Sequence, residues 1–427
     1  VRVAIIGSGI AGLGCAWLLR QQGCKVSLFE ANDYLGGHTH TVDVLLDGVN
    51  APVDTGFLVY NDRTYPKLIA LFNELGITAA PSTMSFSVRN DSAGIEWAGT
   101  DIGSLFAQPG NALRPKFWRM LYELLRFNRE TTAMHLEDRV YDVTVGEFLE
   151  AGDYSTPFRE WYLLPMAAAI WSVPEREVLD FPLPTFIRFC HSHGLLQISG
   201  RPQWRTVVGG ARTYVDRIAA GLADVRLSTP VRRVRRRRDS VDVSTDAVHG
   251  ERFDQVVLAC HSEQALALLA DASGEERHLL QSIRYQANRV LLHTDIRLMP
   301  KRRRAWAAWN YLAPSDIGAG KPVAVSYWLN RLQPLPFQTP LMVTLNPPFE
   351  PRPETQIAEF EYSHPMVKGV AETAQQRLAH LQGEQRTWYA GAWMGHGFHE
   401  DGLASAHIVA EGIAMRFATI MSEREAA

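Results

Sequence analysis

Val3-Ala4-Ile5-Ile6-Gly7-Ser8-Gly9-Ile10-Ala11-Gly12 is the stretch that decides the fold. Four apolar residues read as a short buried strand, three glycines follow in a GxGxxG pattern, and Leu13 to Gln22 continues at helical spacing. A second apolar strand, Lys25 to Phe29, ends in Glu30. Strand, turn, helix, strand and terminal acid together form the context that a dinucleotide fingerprint requires. Gly7 permits the tight turn, Gly9 lets backbone approach a pyrophosphate, and Gly12 lets helix and strand pack closely. Ser8 and Ala11 lie in the same turn, whose N–H groups face the phosphates. Glu30 stands about 20 residues on, where a ribose hydroxyl is held.

Leu35-Gly36-Gly37-His38-Thr39 adds a second glycine pair soon after Glu30, which an NAD site does not need. With it the chain resembles the FAD-dependent amine-oxidase superfamily, which includes monoamine and polyamine oxidases, protoporphyrinogen oxidase and carotenoid desaturases. That family follows its acid with Gly-Gly-Arg-Thr along the FAD phosphates and ribityl chain. His38 replaces the arginine with a shorter donor that is mostly neutral at pH 7. Val53-Asp54-Thr55-Gly56-Phe57 is similar to the family segment that passes the flavin, and Val207-Val208-Gly209-Gly210 to its re-entry into the nucleotide domain. Val231 to Val234 matches the strand whose backbone reads the adenine. Trp388-Tyr389-Ala390-Gly391 and Gly395 to Leu403 resemble the closing flavin motif. The resemblance thus implies cofactor contacts from Gly36, Gly37, His38, Thr39, Asp54, Gly56, Val231, Gly391, Phe398, His399, Asp401 and Leu403, in addition to the fingerprint and Glu30. A helix starting near Leu403 would aim its positive end at the flavin.

Within that superfamily, Ala169-Ile170-Trp171-Ser172, His193-Gly194-Leu195-Leu196, Arg201-Pro202-Gln203-Trp204-Arg205, Trp309-Asn310-Tyr311, Asn330-Arg331-Leu332-Gln333 and Gly397-Phe398-His399-Glu400-Asp401-Gly402 resemble one group more closely. It consists of FAD-binding proteins that accompany, or are fused to, cyclopropane-fatty-acyl-phospholipid synthases. By association this implies acyl-chain chemistry and a methyltransferase partner.

At 427 residues and 46% hydrophobic the chain exceeds one ordinary core, so two domains are expected. A formal charge of -3 argues against nucleic-acid binding. Cys15, Cys24, Cys190 and Cys260 form neither CxxC nor zinc spacing, so no metal site is expected. The absence of a cysteine after Cys260 predicts non-covalent FAD. Neither a signal peptide nor a spanning apolar run is read, which predicts a cytoplasmic protein, peripheral at the inner face of the membrane if lipid is its substrate.

The expected fold class is α/β, α+β overall: a discontinuous Rossmann-like FAD-binding domain over residues 1–80, 200–268 and 385–427, and an inserted mixed-sheet and helical substrate domain over 81–199 and 269–384. The first insertion reads as strands at Met84 to Val88 and Ile95 to Trp97, then helices at Phe117 to Glu130, Val145 to Ala151 and Arg159 to Ile170. The second reads as strands at Arg289 to Asp295, Ala305 to Tyr311, Val323 to Asn330 and Leu341 to Leu345.

Arg232, Arg233 and Arg235 to Arg238 read as an exposed, solvated hairpin. Lys301 to Arg304 precedes Trp306 and Trp309, and Leu113 to Met120 opens a basic amphipathic helix; both suit an anionic membrane surface as well as a plain core. A flavin takes a hydride at its own ring, so a catalytic base is not obligatory. Trp171, Ser172, His191, His193 and Trp204 are the candidates near that ring. The function expected is an FAD-dependent oxidoreductase acting on an unsaturated or methyl-branched fatty acyl chain. The alternatives are a flavin amine oxidase on a small-molecule amine and a flavin-binding accessory to a lipid methyltransferase.

Overall fold

The computed structural model describes residues 1–137, 142–197, 200–313, 323–366 and 369–425. Five parallel strands form the nucleotide sheet: β1 (Arg2–Ile6), β2 (Lys25–Phe29), β3 (Asp224–Arg226), β4 (Gln255–Leu258) and β5 (Thr387–Tyr389), in the spatial order 3-2-1-4-5. This is the arrangement of half a doubly wound fold, with β1 at its centre. β1 reads as an unbroken apolar run because both sheet faces are covered. Val3 and Ile5 pack into the core shared with helices Ile10–Gln21, Pro66–Leu75, Arg212–Ala220 and His399–Glu425. Ala4 and Ile6 face the opposite layer, a three-stranded sheet (Val231–Arg236, Val241–Thr245, Glu251–Phe253) backed by short helices.

The other half centres on a seven-stranded sheet ordered Gln356–Met366, Arg284–His293, Met342–Leu345, Ala324–Trp328, Trp309–Ala313, Phe86–Asn90 and Ile95–Ala98. All neighbours are antiparallel except Trp309–Ala313 beside Phe86–Asn90. Helices Pro115–Leu136, Leu164–Trp171 and Leu183–Ser192 cover it in one apolar core. A hairpin (Thr41–Leu46, Val49–Asp54) and a small sheet (Tyr60–Asn61, Trp204–Val207, Ala79–Ser82) join the halves.

Three local readings are corrected. The helix expected from Arg159 to Ile170 contains a π turn, Arg159–Leu163, before Leu164–Trp171. Pro165 has no N–H to give the Trp161 carbonyl, and that oxygen instead accepts the Trp97 indole N–H at 3.1 Å. The eleven-residue strand Gln356–Met366 was not anticipated at all. Within the arginine hairpin, Arg236 is buried rather than solvated: its guanidinium bridges Asp271 and Glu276, and Glu276 also accepts the Tyr389 hydroxyl.

Candidate functional site

The fingerprint turn is shaped by what surrounds each glycine. Gly7 has φ +103°, and a Cβ there would lie 2.6 Å from the Ala259 carbonyl oxygen. At Gly12 a Cβ would overlap the Gly7 carbonyl oxygen. Gly9 differs: its φ is -63° and nothing lies within 4 Å of its Cβ direction. Open space therefore stands over Gly9, at the start of a helix with neither a side-chain cap nor an acid in its first turn. Those uncapped N–H groups, with the helix dipole behind them, form an anion cradle.

A second helix start meets the first. A Cβ at Gly402 would lie 2.8 Å from the Ile10 side chain and 3.7 Å from the Ala11 nitrogen, so the opening turn of His399–Glu425 rests on the opening turn of Ile10–Gln21. The last helix begins at His399, one turn earlier than the sequence reading, and Leu403 packs against Gly14. Asp401 accepts the Phe398 N–H at 2.9 Å, which fixes the entry to this helix; burial raises its carboxyl pKa. The Gly391 N–H donates to Ser405 Oγ at 2.9 Å, closing the loop after β5.

Glu30 ties this cradle to the second glycine pair. Its carboxylate accepts the Ser8 N–H at 2.9 Å, the Ser8 hydroxyl, and the Asn32 N–H at 2.9 Å. Ser8 in turn accepts the Gly36 N–H on its carbonyl and on its hydroxyl, at 3.1 and 3.2 Å. Gly36 (φ +112°) and Gly37 (φ +58°) need glycine, and Gly37 lies against Gly9, 3.2 Å from its Cβ direction to the Gly9 Cα. Val231 is buried two residues beyond Thr229, whose N–H donates to the Glu30 carbonyl at 2.8 Å.

Past the glycine pair the site becomes one of neutral side chains. His38 is half-buried, and its Nε2, out of reach of solvent, has no partner. Burial first, then the neighbouring His364 and His261, hold it well below the usual imidazole range. Thr39 Oγ1 lies 2.6 Å from the Tyr214 hydroxyl and 2.9 Å from His399 Nε2, which is 3.1 Å from that same hydroxyl. The His399 ring stacks on Phe57 at 3.7 Å, and burial lowers its pKa to about 3. Gly56 passes so close to the His38 carbonyl that a Cβ would overlap it. Asp54 is placed differently from the sequence reading. Its carboxylate accepts the Thr41 hydroxyl and the Ala211 N–H, so it positions segment 55–57 from behind instead of reaching into the site.

Across Phe398 the site meets the other half. The Phe398 ring stacks on Phe189 at 5.1 Å and lies 5.6 Å from His193, and Trp171 reaches Phe189 at 4.6 Å. His193 Nδ1 donates to the Phe189 carbonyl at 3.0 Å, which makes Nε2 its acceptor nitrogen, and burial lowers its pKa to about 4. Of the five candidates, His193 lies against Phe398 and Trp171 against Phe189, which stacks on it. Ser172 is the left-handed cap (φ +53°) ending Leu164–Trp171, and His191 turns outward onto His135 at 3.9 Å. Trp204 sits in the joining sheet opposite Asn61 and Ser82. Sequence reasoning missed Tyr214, Phe189 and Tyr362; the Tyr362 hydroxyl bonds Thr55 Oγ1 at 2.7 Å and His40 Nδ1 at 2.9 Å.

An open cradle at the start of Ile10–Gln21, a carboxylate beside it and an orphaned buried imidazole nitrogen define a site for an anionic dinucleotide, and FAD fits it. The chain belongs to the flavin-containing amine oxidoreductase family, whose model matches residues 10–303. It is 30% identical over 298 residues to the carotenoid phi-ring synthase of Streptomyces griseus, covering 64% of this chain and 54% of that protein. It is 27% identical over 260 residues to AofH of Mycobacterium tuberculosis, named as a flavin-containing monoamine oxidase, covering 59% and 55%. The chain thus spans about half the length of the curated relatives it matches. Its fold is similar to that of the CLA-producing fatty acid isomerase from P. acnes, with a TM-score of 0.66 at 16% identity over 96% of this chain and 98% of that one.

Proposed function

We propose that this chain is an FAD-dependent oxidoreductase that desaturates, or carries out a related redox step on, an unsaturated or methyl-branched fatty acyl chain. The observation that carries the reading is the wall at Phe398: Phe189 and Trp171, held in an apolar core that suits a hydrocarbon chain, with a neutral His193 beside them. FAD, when bound, supplies the ring that accepts a hydride. The protein's part is to lay a C–H bond against that ring and to keep water away. Forming a double bond also removes a proton from the adjacent carbon. His193 Nε2 is the acceptor the wall offers, since Nδ1 is held by the Phe189 carbonyl. The likeness to a carotenoid ring synthase supports an extended unsaturated substrate, and the likeness to AofH supports the amine alternative.

Anaerobic mixing with unsaturated and methyl-branched acyl phospholipids, with amines and with NAD(P)H, while following the yellow colour, tests the reading. Bleaching by the acyl lipids alone is expected. Bleaching by amines alone overturns it in favour of amine oxidation, and no bleaching by any of them favours a flavin-binding accessory to a methyltransferase.

A further inference from the structure

The two basic-aromatic stretches in the sequence, near residues 113–120 and 301–309, lie far apart in the chain and meet on one surface. On helix Pro115–Leu136, Trp118, Tyr122 and Leu125 are exposed at 52%, 65% and 53%. Their spacing of four and three residues places them in one stripe, with Arg129 one turn further along it. Phe117, Met120 and Phe127 face inward, so the stripe is the outer side of a well-packed helix. Just before the helix, Leu113 is 87% exposed. The Trp118 ring meets Phe106 at 5.5 Å, one turn beyond the exposed Ile102 on helix Ile102–Leu105. The Arg304 guanidinium lies directly over Gly103, beside Ile102. The short helix therefore bridges the two stretches.

The charge of this helix is one-sided. Residues 114–136 carry five cations against two acids, Glu123 and Glu130. Both acids are already engaged, Glu123 with Arg119 and Ser155 and Glu130 with Arg126 and the Tyr154 hydroxyl. Beside the stripe is a cavity of about 520 Å³, lined by Lys116, Arg119 and Arg159 with Ser155, Thr156 and Asp153. Its cations and hydroxyls suit a phosphate headgroup. No helix among the described residues is long and apolar enough to cross a bilayer.

We propose that this face docks on the surface of an anionic bilayer, with Trp118, Tyr122, Leu125, Leu113 and Ile102 at the depth of the headgroups and Lys116 and Arg129 among the lipid phosphates. Exposed aromatic and aliphatic side chains flanked by unbalanced cations are the signature of interfacial binding. A second copy of the chain would bring like charges together. The docking helix packs directly outside Leu183–Ser192, with Phe127 against Phe186 and His135 against His191, so the bilayer would lie one helix layer from Phe189 and His193. The proposal stands whether or not the acyl-chain reading holds.

Cosedimentation of the flavin-loaded protein with phosphatidylcholine vesicles, with and without phosphatidylglycerol, tests it. Binding is expected only with phosphatidylglycerol and falls roughly tenfold or more as salt is raised. Tyr122→Ser/Leu125→Ser is expected to weaken binding about tenfold or more, and Lys116→Ser/Arg129→Ser to remove the preference for phosphatidylglycerol. Both pairs are exposed, so flavin content and melting temperature stay at the parent's values. A parent protein that remains in the supernatant at low salt overturns the proposal, as does a variant pair that binds like the parent. A dimer that the Tyr122→Ser/Leu125→Ser pair dissolves, in a protein that ignores vesicles, reassigns the face to self-association.

Discussion

Around Gly9 the polar groups that define the site are backbone N–H groups at the start of Ile10–Gln21, left without a side-chain cap. Around Phe398 the polar groups are side chains already paired with one another or held neutral by burial: His193 on the Phe189 carbonyl, and Thr39, Tyr214 and His399 in a triangle. The first arrangement holds a charged ligand by geometry the main chain alone supplies. The second makes a neutral wall, which suits the acyl chain proposed as substrate. The nucleotide region should therefore fail through backbone crowding, and the wall through protonation or lost packing.

The largest effect expected is at Gly12→Val, whose Cβ would overlap the Gly7 carbonyl oxygen. A loss on the order of 4–5 kcal/mol should leave little folded protein, read as lost soluble yield and a collapsed thermal transition. Gly9→Val separates binding from folding, because its side chain enters open space. That variant should melt near the parent while flavin affinity falls on the order of a hundredfold or more, about 3 kcal/mol. If Gly9→Val keeps stoichiometric flavin, the cradle is misassigned.

Glu30→Ala removes the acceptor for Ser8 and Asn32 and for a ribose hydroxyl. A cost of about 1.5–3 kcal/mol corresponds to flavin binding roughly ten- to hundred-fold weaker by titration.

Acid should weaken the neutral wall. His193 (about 4), His364 (about 4) and His399 (about 3) stay unprotonated in the fold at pH values where an unfolded imidazole takes a proton. The unfolded chain then binds more protons, so stability present above pH 6.5 is lost as pH falls through about 4. The slope is about 1.4 kcal/mol per pH unit for each extra proton. Asp54, raised by burial to about 6, opposes this by one proton between its ordinary value and pH 6. Denaturant midpoints that rise from pH 6.5 to 4.5 would contradict the assignment of neutral imidazoles.

The smallest effect is expected at Tyr362→Phe, where the partners Thr55 and His40 lose one bond each and Thr55 keeps its bond to the His40 carbonyl. About 1 kcal/mol should appear in chemical denaturation, with flavin content unchanged.

The nucleotide region was legible because its signature is local: three glycines at fixed spacing between a strand and a helix, followed by an acid at a fixed interval, even where the atom that forbids a Cβ, as Ala259 does at Gly7, comes from far along the chain. The substrate wall draws on side chains from distant segments, and pairings such as Tyr362 with Thr55 or Arg236 with Asp271 and Glu276 leave no local trace. Two signals were nonetheless present. Phe360, Tyr362 and His364 alternate with Glu359, Glu361 and Ser363, a period of two that reads as a half-buried strand. His191 and His193 are only two apart in sequence, so a helix cannot present both to one ligand; the structure turns His191 to His135 and His193 to Phe398.

β5 joins the nucleotide sheet by pairing Val256 with Thr387 and Leu258 with Tyr389, across the whole second insertion. The ribosome therefore delivers the fingerprint turn long before the helix start, at His399, that completes the cradle. During synthesis β4 waits with one edge unpaired while more than a hundred residues emerge, an interval in which an exposed strand edge is open to aggregation. A nascent chain stalled before Thr387 holds the fingerprint but not the second helix start against which Ile10 and Ala11 are set.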